Sequence, residues 1–347
     1  YEEHTIESPA PGQAQLNART IWQNIKGAIR SVTAVSEGAG IMALSVSSMG
    51  EAVVPVSADR RILGPSLLNF DERGEEFLTD FADKLPDSRL YAINGNTLGN
   101  HYSLTKLKWI QTHQPDLYTE TFKFLHWSAF VAFMLGAEAA VDYSLANRTL
   151  LFDLQKEDWS DDLLRVTDLD RDKLPRPVSS GSVIGRGPAS IAADLGLPAG
   201  ITIVAGAHDQ NANAVGCGVI DAGSAVYGMG TFHCITPVFN AHPPPQMMIA
   251  RGLNTEHHAV PGRYVSFIYN QGGSLVKWYR DTFAAREHEA AQKNGRSIYP
   301  DLFAELPDGP GSVLVLPHFT TTGPPNFITD SAGLIAGLRL DLSLIHI

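Results

Sequence analysis

Cysteine is nearly absent from this chain: of its 347 residues, only Cys217 and Cys234 carry a thiol. Two cysteines in small-residue or apolar surroundings cannot build a disulfide framework, so a reducing cytoplasm is the expected compartment. Buried free thiols are the expectation for both, ahead of a redox pair. Long apolar runs are missing too. The longest candidate, "FVAFMLGAEAAV" after Trp127, falls short of the ~18 continuous apolar residues of a membrane span, and no secretory signal is expected. Basic charge is scarce, with 26 Lys and Arg against 37 Asp and Glu and a formal net charge of −11. Nucleic acids and anionic membranes are gripped by clustered cations, so neither is an expected partner, and any phosphate must sit in a local pocket.

What is present is apolar material, 44% of the residues, enough for a large core, and a length that points to two domains. Ile21 to Ala34 reads as a helix with Ile21, Ile25, Ala28 and Ile29 on one stripe. "IMALSVSSM" and "AVVPVSA" read as strands, the second returning as a hairpin through "DRRILGP". Phe77, Leu78, Phe81 and Leu85 have helical spacing that Pro86 closes. Ser103 to Gly136 reads as predominantly helical, Ser160 as an N-cap ahead of Asp161 and Asp162, and "GPASIAADLGLP" as a helix from Pro188 to Gly196. "ITIVAG" is a short strand ahead of a new helix. "GSAVYGMGTFHCITPVF" reads as two strands about a glycine turn, "GRYVSFIYN" as one strand, "GGSLVKWYRDTFA" as a helix presenting Leu275, Trp278, Tyr279 and Phe283, and "HPPPQ" as a surface loop. The mixture gives an α/β class. Tyr1 is no initiator methionine and "LDLSLIHI" ends without a polar terminus, so an internal fragment is the expectation.

Three features carry possible chemistry. The turn "GMGT", Gly228 to Thr231, lets backbone N–H groups approach phosphate oxygens, although a tight hairpin would demand the same glycines. Gly272 and Gly273 open a helix, which suits an anion or simple close packing. Asp209 follows an apolar run and so stands at a strand end between His208 and Gln210. There it can accept a proton from an attacking alcohol, cap the helix "QNANAVGCG", or do both. A metal held by His208, Asp209 and His233 is disfavoured because no HExxH or CxxC accompanies them, and His257–His258 reads as a bare doublet in a polar loop. The acidic run at "DLQKEDWSDDLLRVTDLDRDKLP" lacks the mid-loop glycine and closing glutamate of a calcium loop.

The run "IVAGAHDQNANAVGCGVIDAGSAVYGMGTFHCITPVF" resembles the centre of the FGGY carbohydrate kinases. "IMALSVSSMGEAVVPVSADRRILGPSLLNFDER", "INGNTLGNHYSLTKLKWIQTHQPDLY", "VDYSLANRTLLFDLQKEDWSDDLL", "NQGGSLVKWYRDTF" and "VLVLPHFTTTGPP" match in the same order. The resemblance implies an actin-like (ribonuclease H-like) two-domain α/β fold with an interdomain cleft. It implies an N-terminal sugar-binding domain over 1–222 and a C-terminal nucleotide-binding domain over 223–347. It further implies ATP and Mg²⁺ as cofactors, a sugar or polyol as partner, a homodimer as one possible assembly, and Asp209 as general base with no protein metal ligand. Sugar-side positions fall on Met49, Gly50, Glu51, Asn69, Asp71, Arg73, His101 and Gln210, and phosphate-side positions on Gly228, Gly230, Thr231, Gly272 and Gly273. "SMGE" and "NFDER" depart from the usual xylulokinase Q-M-H-G and W-N/Q-D, and Glu51 aligns better with the glycerol-kinase type. That leaves the acceptor open among pentuloses, polyols and related sugars. Nothing in Tyr1 to Arg30 resembles the family's D-x-G-T loop, and its adenine segment would lie beyond Ile347, so the first strands and part of the C-terminal domain are expected to be missing. The rival readings are a sugar-binding or regulatory relative without transfer activity and a metal-dependent hydrolase.

Overall fold

The computed structural model describes residues 4–35, 40–230, 232–304, 309, 311–319 and 331–340. The chain divides into two compact units. The first comprises Tyr1–Ser224, Pro237–Ile249 and Asn254–Ser266, and the second Ala225–Thr236, Ala250–Leu253 and Phe267–Ile347. Among the described residues no helix is long and apolar enough to cross a membrane.

The first unit holds a continuous core that includes Val54, Phe81, Leu104, Leu125, Phe130, Leu145 and Phe152. The amphipathic helix Ala18–Val35 buries Ile21 and Trp22 against it, with Trp22 edge-on to Phe130 at 6.1 Å between ring centroids. Three strands form a small sheet in the order Val183–Arg186, Thr202–Val204, Ala43–Ser45. The first pair is antiparallel and the second parallel, with Ile203 opposite Leu44. Helix Ala189–Leu195 starts after Pro188 and stops at Gly196, whose φ of 68° is the left-handed stop that glycine adopts without a Cβ clash. Ser160 caps helix Asp161–Thr167 through a bond from the Leu163 N–H.

Several expectations are corrected. Lys123–His126 is a strand, not part of a helical run, and pairs antiparallel with Val53–Val56. Four residues are too few to show a period, and the long-range pairing overrides local propensity. The return through "DRRILGP" is present as expected, with Val56 bridging Ile62 antiparallel, the Ser57 N–H donating to the Arg61 carbonyl and the Leu63 N–H to the Pro55 carbonyl, both at 3.0 Å. Cys217 is exposed and Cys234 partly buried, because Cys217 sits at the solvent-facing end of helix Asp209–Gly216. The "HPPPQ" loop leads into a short helix, Pro245–Ile249, whose opening proline sits where a helix needs no N–H. His257 and His258 are buried, and His257 lies on the strand Glu256–His257. "GRYVSFIYN" forms two strands, Tyr264–Val265 and Ile268–Gln271. Across from the break stands Pro237, which has no N–H for the ladder.

In the second unit, Ala225–Met229 neighbours the strand Phe232–Phe239, whose first residues pair antiparallel with Ile268–Gln271. Helices Gly273–Phe283, Ala285–Lys293 and Tyr299–Phe303 follow, then a strand pair, Leu314–Leu316 with Leu334–Ala336. Among its described residues, Ala284, Ala291 and Ile298 form one buried cluster.

Candidate active site

Two parallel strands end side by side. Beyond Ala43–Ser45 and Thr202–Val204 the chains stay tied, since the Ser48 N–H donates to the Ala207 carbonyl at 3.3 Å and the Asp209 N–H to the Ser48 carbonyl at 2.9 Å. Ligand-facing residues of open α/β sheets gather at this carboxyl edge. A Cβ on Gly206 would lie 1.7 Å from the Val46 carbonyl oxygen, so only glycine allows so close an approach. The chain then turns into helix Asp209–Gly216. His208 occupies the N-cap and Asp209 the first helical position, where the helix dipole favours a carboxylate. Asp209 therefore does not itself cap the helix. Its side chain is 47% exposed. Burial of the surrounding site and the Glu51 charge push its carboxyl above the ordinary carboxylate range, against the lowering effect of the Gln210 N–H.

Opposite stands a strained turn. The Ala52 N–H donates to the Gly50 carbonyl at 2.7 Å, closing a three-residue turn whose central residue, Glu51, has φ of 60°. A non-glycine residue there is uncommon and costs energy, and such strain clusters at functional sites. The Ser103 hydroxyl holds the turn through the Glu51 carbonyl at 2.5 Å. Glu51 is 7% exposed and accepts the Arg148 Nε at 2.6 Å, with Nη2 on the same oxygen, while Nη1 of Arg148 donates to Glu256 Oε1. The guanidinium lies 4.7 Å from the centre of the Tyr102 ring.

Arg148 reaches this place from the C-cap of helix Tyr143–Asn147, where a cation suits the dipole. The N-cap of that helix, Asp142, is buried and accepts the Ser144 N–H at 2.9 Å, and burial pushes its carboxyl up to about 6. The Ser144 hydroxyl in turn accepts the His208 N–H at 2.9 Å, so one short helix positions both Arg148 and the turn into Asp209.

Two imidazoles complete the cluster. His208 Nε2 is 3.3 Å from Asp209 Oδ1 and its Nδ1 is 4.0 Å from Glu256 Oε2. Burial, then the Arg148 charge, keeps both rings neutral, with His126 pushed down to about 3 and His208 well below its ordinary value. Gly50 makes room for Arg148 and His208: a Cβ there would be 3.1 Å from Arg148 Cγ and 3.3 Å from His208 Nε2. Glu256 is fully buried, and burial outweighs the Arg148 attraction to push its carboxyl up to about 7.

Gly50, Glu51 and Asp209 are thus brought together, with Gln210 next along the helix and the exposed Met49 beside the turn. His101 is exposed and packs its ring on Tyr102 at 4.0 Å. Asp71 and Arg73 are engaged elsewhere. They form a buried ion pair at 2.7 Å, Asp71 accepts the Ala14 N–H at 2.6 Å, and Arg73 covers the Trp109 ring at 5.2 Å. Asn69 lies exposed just ahead of that pair.

In the second unit, the two glycine segments meet, with the Gly273 N–H donating to the Gly230 carbonyl at 2.8 Å. A Cβ on Gly272 would come within 2.0 Å of the His233 ring, which is bonded to the Tyr227 hydroxyl at 2.7 Å. Gly228 lies in the strand Ala225–Met229, and Thr231 falls outside the described residues. Among the described residues no group of three or more His, Cys, Asp or Glu side chains is arranged to hold a metal ion.

Sequence reasoning missed Arg148, Glu256 and His126. Arg148 had one signal, a lone cation inside the apolar stretch "SLANRTLLF". Glu256 was hidden in a polar run read as a loop.

Comparison with known proteins shows the family and the fold. Residues 1–216 match the model of the N-terminal domain of the FGGY family of carbohydrate kinases. The chain is 26% identical over 344 residues to the xylulose kinase of Escherichia coli (strain K12), covering 97% of this chain and 67% of that protein. It is 29% identical over 325 residues to the autoinducer-2 kinase of Yersinia pseudotuberculosis serotype O:3 (strain YPIII), covering 90% of this chain and 59% of that protein. The fold is that of the crystal structure of xylulose kinase from Rhodospirillum rubrum, with a TM-score of 0.84, 24% identity, and coverage of 99% of this chain and 68% of that one.

Proposed function

Because the chain belongs to the FGGY family of carbohydrate kinases and shares the actin-like α/β fold of its solved relatives, we propose that it transfers the terminal phosphoryl group of ATP to a hydroxyl of a sugar or polyol. The observation that carries this reading is the half-exposed Asp209 carboxylate at a strand–helix junction, with a raised proton affinity and Glu51 nearby. The acceptor hydroxyl oxygen attacks the γ-phosphorus, its proton passes to Asp209, and the bond to the β-phosphate oxygen breaks to release ADP. Raising the carboxylate's proton affinity suits this role, since a general base works best when its pKa lies nearer the operating pH. Glu51 and the backbone around Gly50 and Gln210 would orient the acceptor. A pentulose such as xylulose, the acceptor named in two of the relatives, falls within the class.

The first unit would hold the acceptor and the second the nucleotide. The Gly228–Gly230 and Gly272–Gly273 segments offer backbone close to phosphate oxygens, although the Gly273 N–H is already given to Gly230. Magnesium would neutralise charge on the phosphates. The described residues form no cage for it, so it would travel with the nucleotide, as this ion commonly does.

The test is turnover of a panel of sugars and polyols by the full-length protein and its Asp209→Asn variant. The variant should lose roughly 10²–10⁴-fold in kcat with KM for the acceptor little changed. Wild-type turnover by the variant would remove Asp209 from the role.

A further inference from the structure

Resting on the carbohydrate-kinase reading, we propose that Arg148 serves as an internal counter-ion rather than a substrate receptor. The acceptor site then selects an uncharged polyhydroxy compound and rejects sugar acids, with Glu256 the residue that sets this preference through Arg148. An arginine near a sugar site would ordinarily invite a carboxylate, since its planar fork matches that group. Here three of the five N–H groups are engaged. Nε and Nη2 are bonded to Glu51, Nη1 to Glu256, and the guanidinium lies over the Tyr102 ring. The Arg148 side chain is 11% exposed.

The charges around it point the same way. Glu51, Glu256 and Asp209 place three carboxyl groups about one guanidinium, and both nearby imidazoles are neutral. A fourth carboxylate would enter a partly desolvated site without a cation to meet it, which is costly. Hydroxyl groups meet what remains. Glu256 Oε2 is buried and, among the described residues, has no hydrogen-bond partner; the nearest ring nitrogen of His208 is 4.0 Å away. The buried His126 likewise has both ring nitrogens unpartnered. Above about pH 7, where Glu256 is ionised, its carboxylate only accepts, and a neutral imidazole donates from one nitrogen and accepts at the other. A hydroxyl can do both and satisfies either, whereas a substrate carboxylate cannot donate to Glu256. Asn254 already gives its amide to Glu256 Oε1 at 2.8 Å.

The experiment is calorimetric binding, above about pH 7 where Glu256 is ionised, to the full-length protein of matched pairs: glycerol with glycerate, xylitol with xylonate, and xylulose with its carboxylate counterpart. In each pair that binds, the neutral member should bind roughly tenfold or more tighter. In Glu256→Gln, which frees Nη1 of its carboxylate and removes one negative charge, the ratio of acid to neutral affinity should rise by most of that factor. A merely structural role for Glu256 would weaken both members equally. Acids that bind wild-type protein as tightly as their neutral partners overturn the proposal and leave the kinase reading standing. Binding of neither member of any pair removes the kinase reading, and this proposal with it. The wild-type comparison needs no variant, so it decides even where Glu256→Gln fails to fold.

Discussion

A buried acid that holds its proton toward neutrality makes the protein less stable as pH rises. Glu256 has an ordinary value of 4.5 and is pushed to about 7 in the fold. Below 4.5 it is protonated folded and unfolded alike, so it contributes no difference. Between 4.5 and 7 the unfolded chain releases the proton while the folded chain keeps it, and above 7 the full cost is present. Unfolding by urea at several pH values should therefore show the stability of wild type relative to Glu256→Gln falling across that window, by ~1–3 kcal/mol. A difference that stays constant with pH would mean Glu256 ionises as freely in the fold as in water. Asp142, displaced from 3.8 to about 6, acts with the same sign over a lower window. Residue by residue, the site was only half legible. Asp209 stands out as an acid following an apolar strand, a local pattern, whereas Glu51 is singled out only by the family resemblance. Arg148 and Glu256 do not stand out in either way, because their role arises from contacts spanning 97 and 108 positions, which no local spacing encodes.

The elements around the site turn on one glycine. Gly206 lets the ends of the two parallel strands meet, and through the bonds between Ser48, Ala207 and Asp209 it sets both acids at once. Gly206→Ala must push the Val46 carbonyl aside. It should cost about 2–4 kcal/mol of stability and, in whatever remains folded, lower kcat/KM along with Asp209 geometry. Gly27, inside helix Ala18–Val35, has nothing within 4 Å of where its Cβ would be, so Gly27→Ala should instead stabilise by about 0.5–1 kcal/mol. Thermal unfolding of the two variants checks both signs; equal effects would mean the close approach at Gly206 does not constrain the strands. Element boundaries were readable wherever stop and start chemistry is local, as at Ser160, Pro188 and Gly196. They were not readable at Lys123–His126, which is a strand because Val53–Val56 offers it a ladder, nor at the break opposite Pro237.

At the scale of the molecule, the described residues of the two units differ in how much apolar surface they bury. The first carries a core running from Ala14 to Ala205. Among the described residues of the second, Ala284, Ala291 and Ile298 form one small buried cluster and Val226 and Phe267 are also buried, while Trp278 and Phe283 on helix Gly273–Phe283 remain 39% and 38% exposed. Burial is the dominant favourable term in folding, so the amides of that helix should exchange with solvent well before those of the buried helix Trp127–Met134. Calorimetry should resolve a transition for the second unit below that of the first, and coincident transitions with uniform protection would show a single cooperative unit. The separation also distinguishes the ligands. A compound that binds one folded unit raises the transition of that unit by mass action. On the reading proposed here, a polyol raises the upper transition and ADP the lower one. If ADP shifted only the transition of the unit that contains Asp209, the assignment of the glycine segments to the phosphates would fall, while the acceptor site built on Glu51, Arg148 and Glu256 would stand.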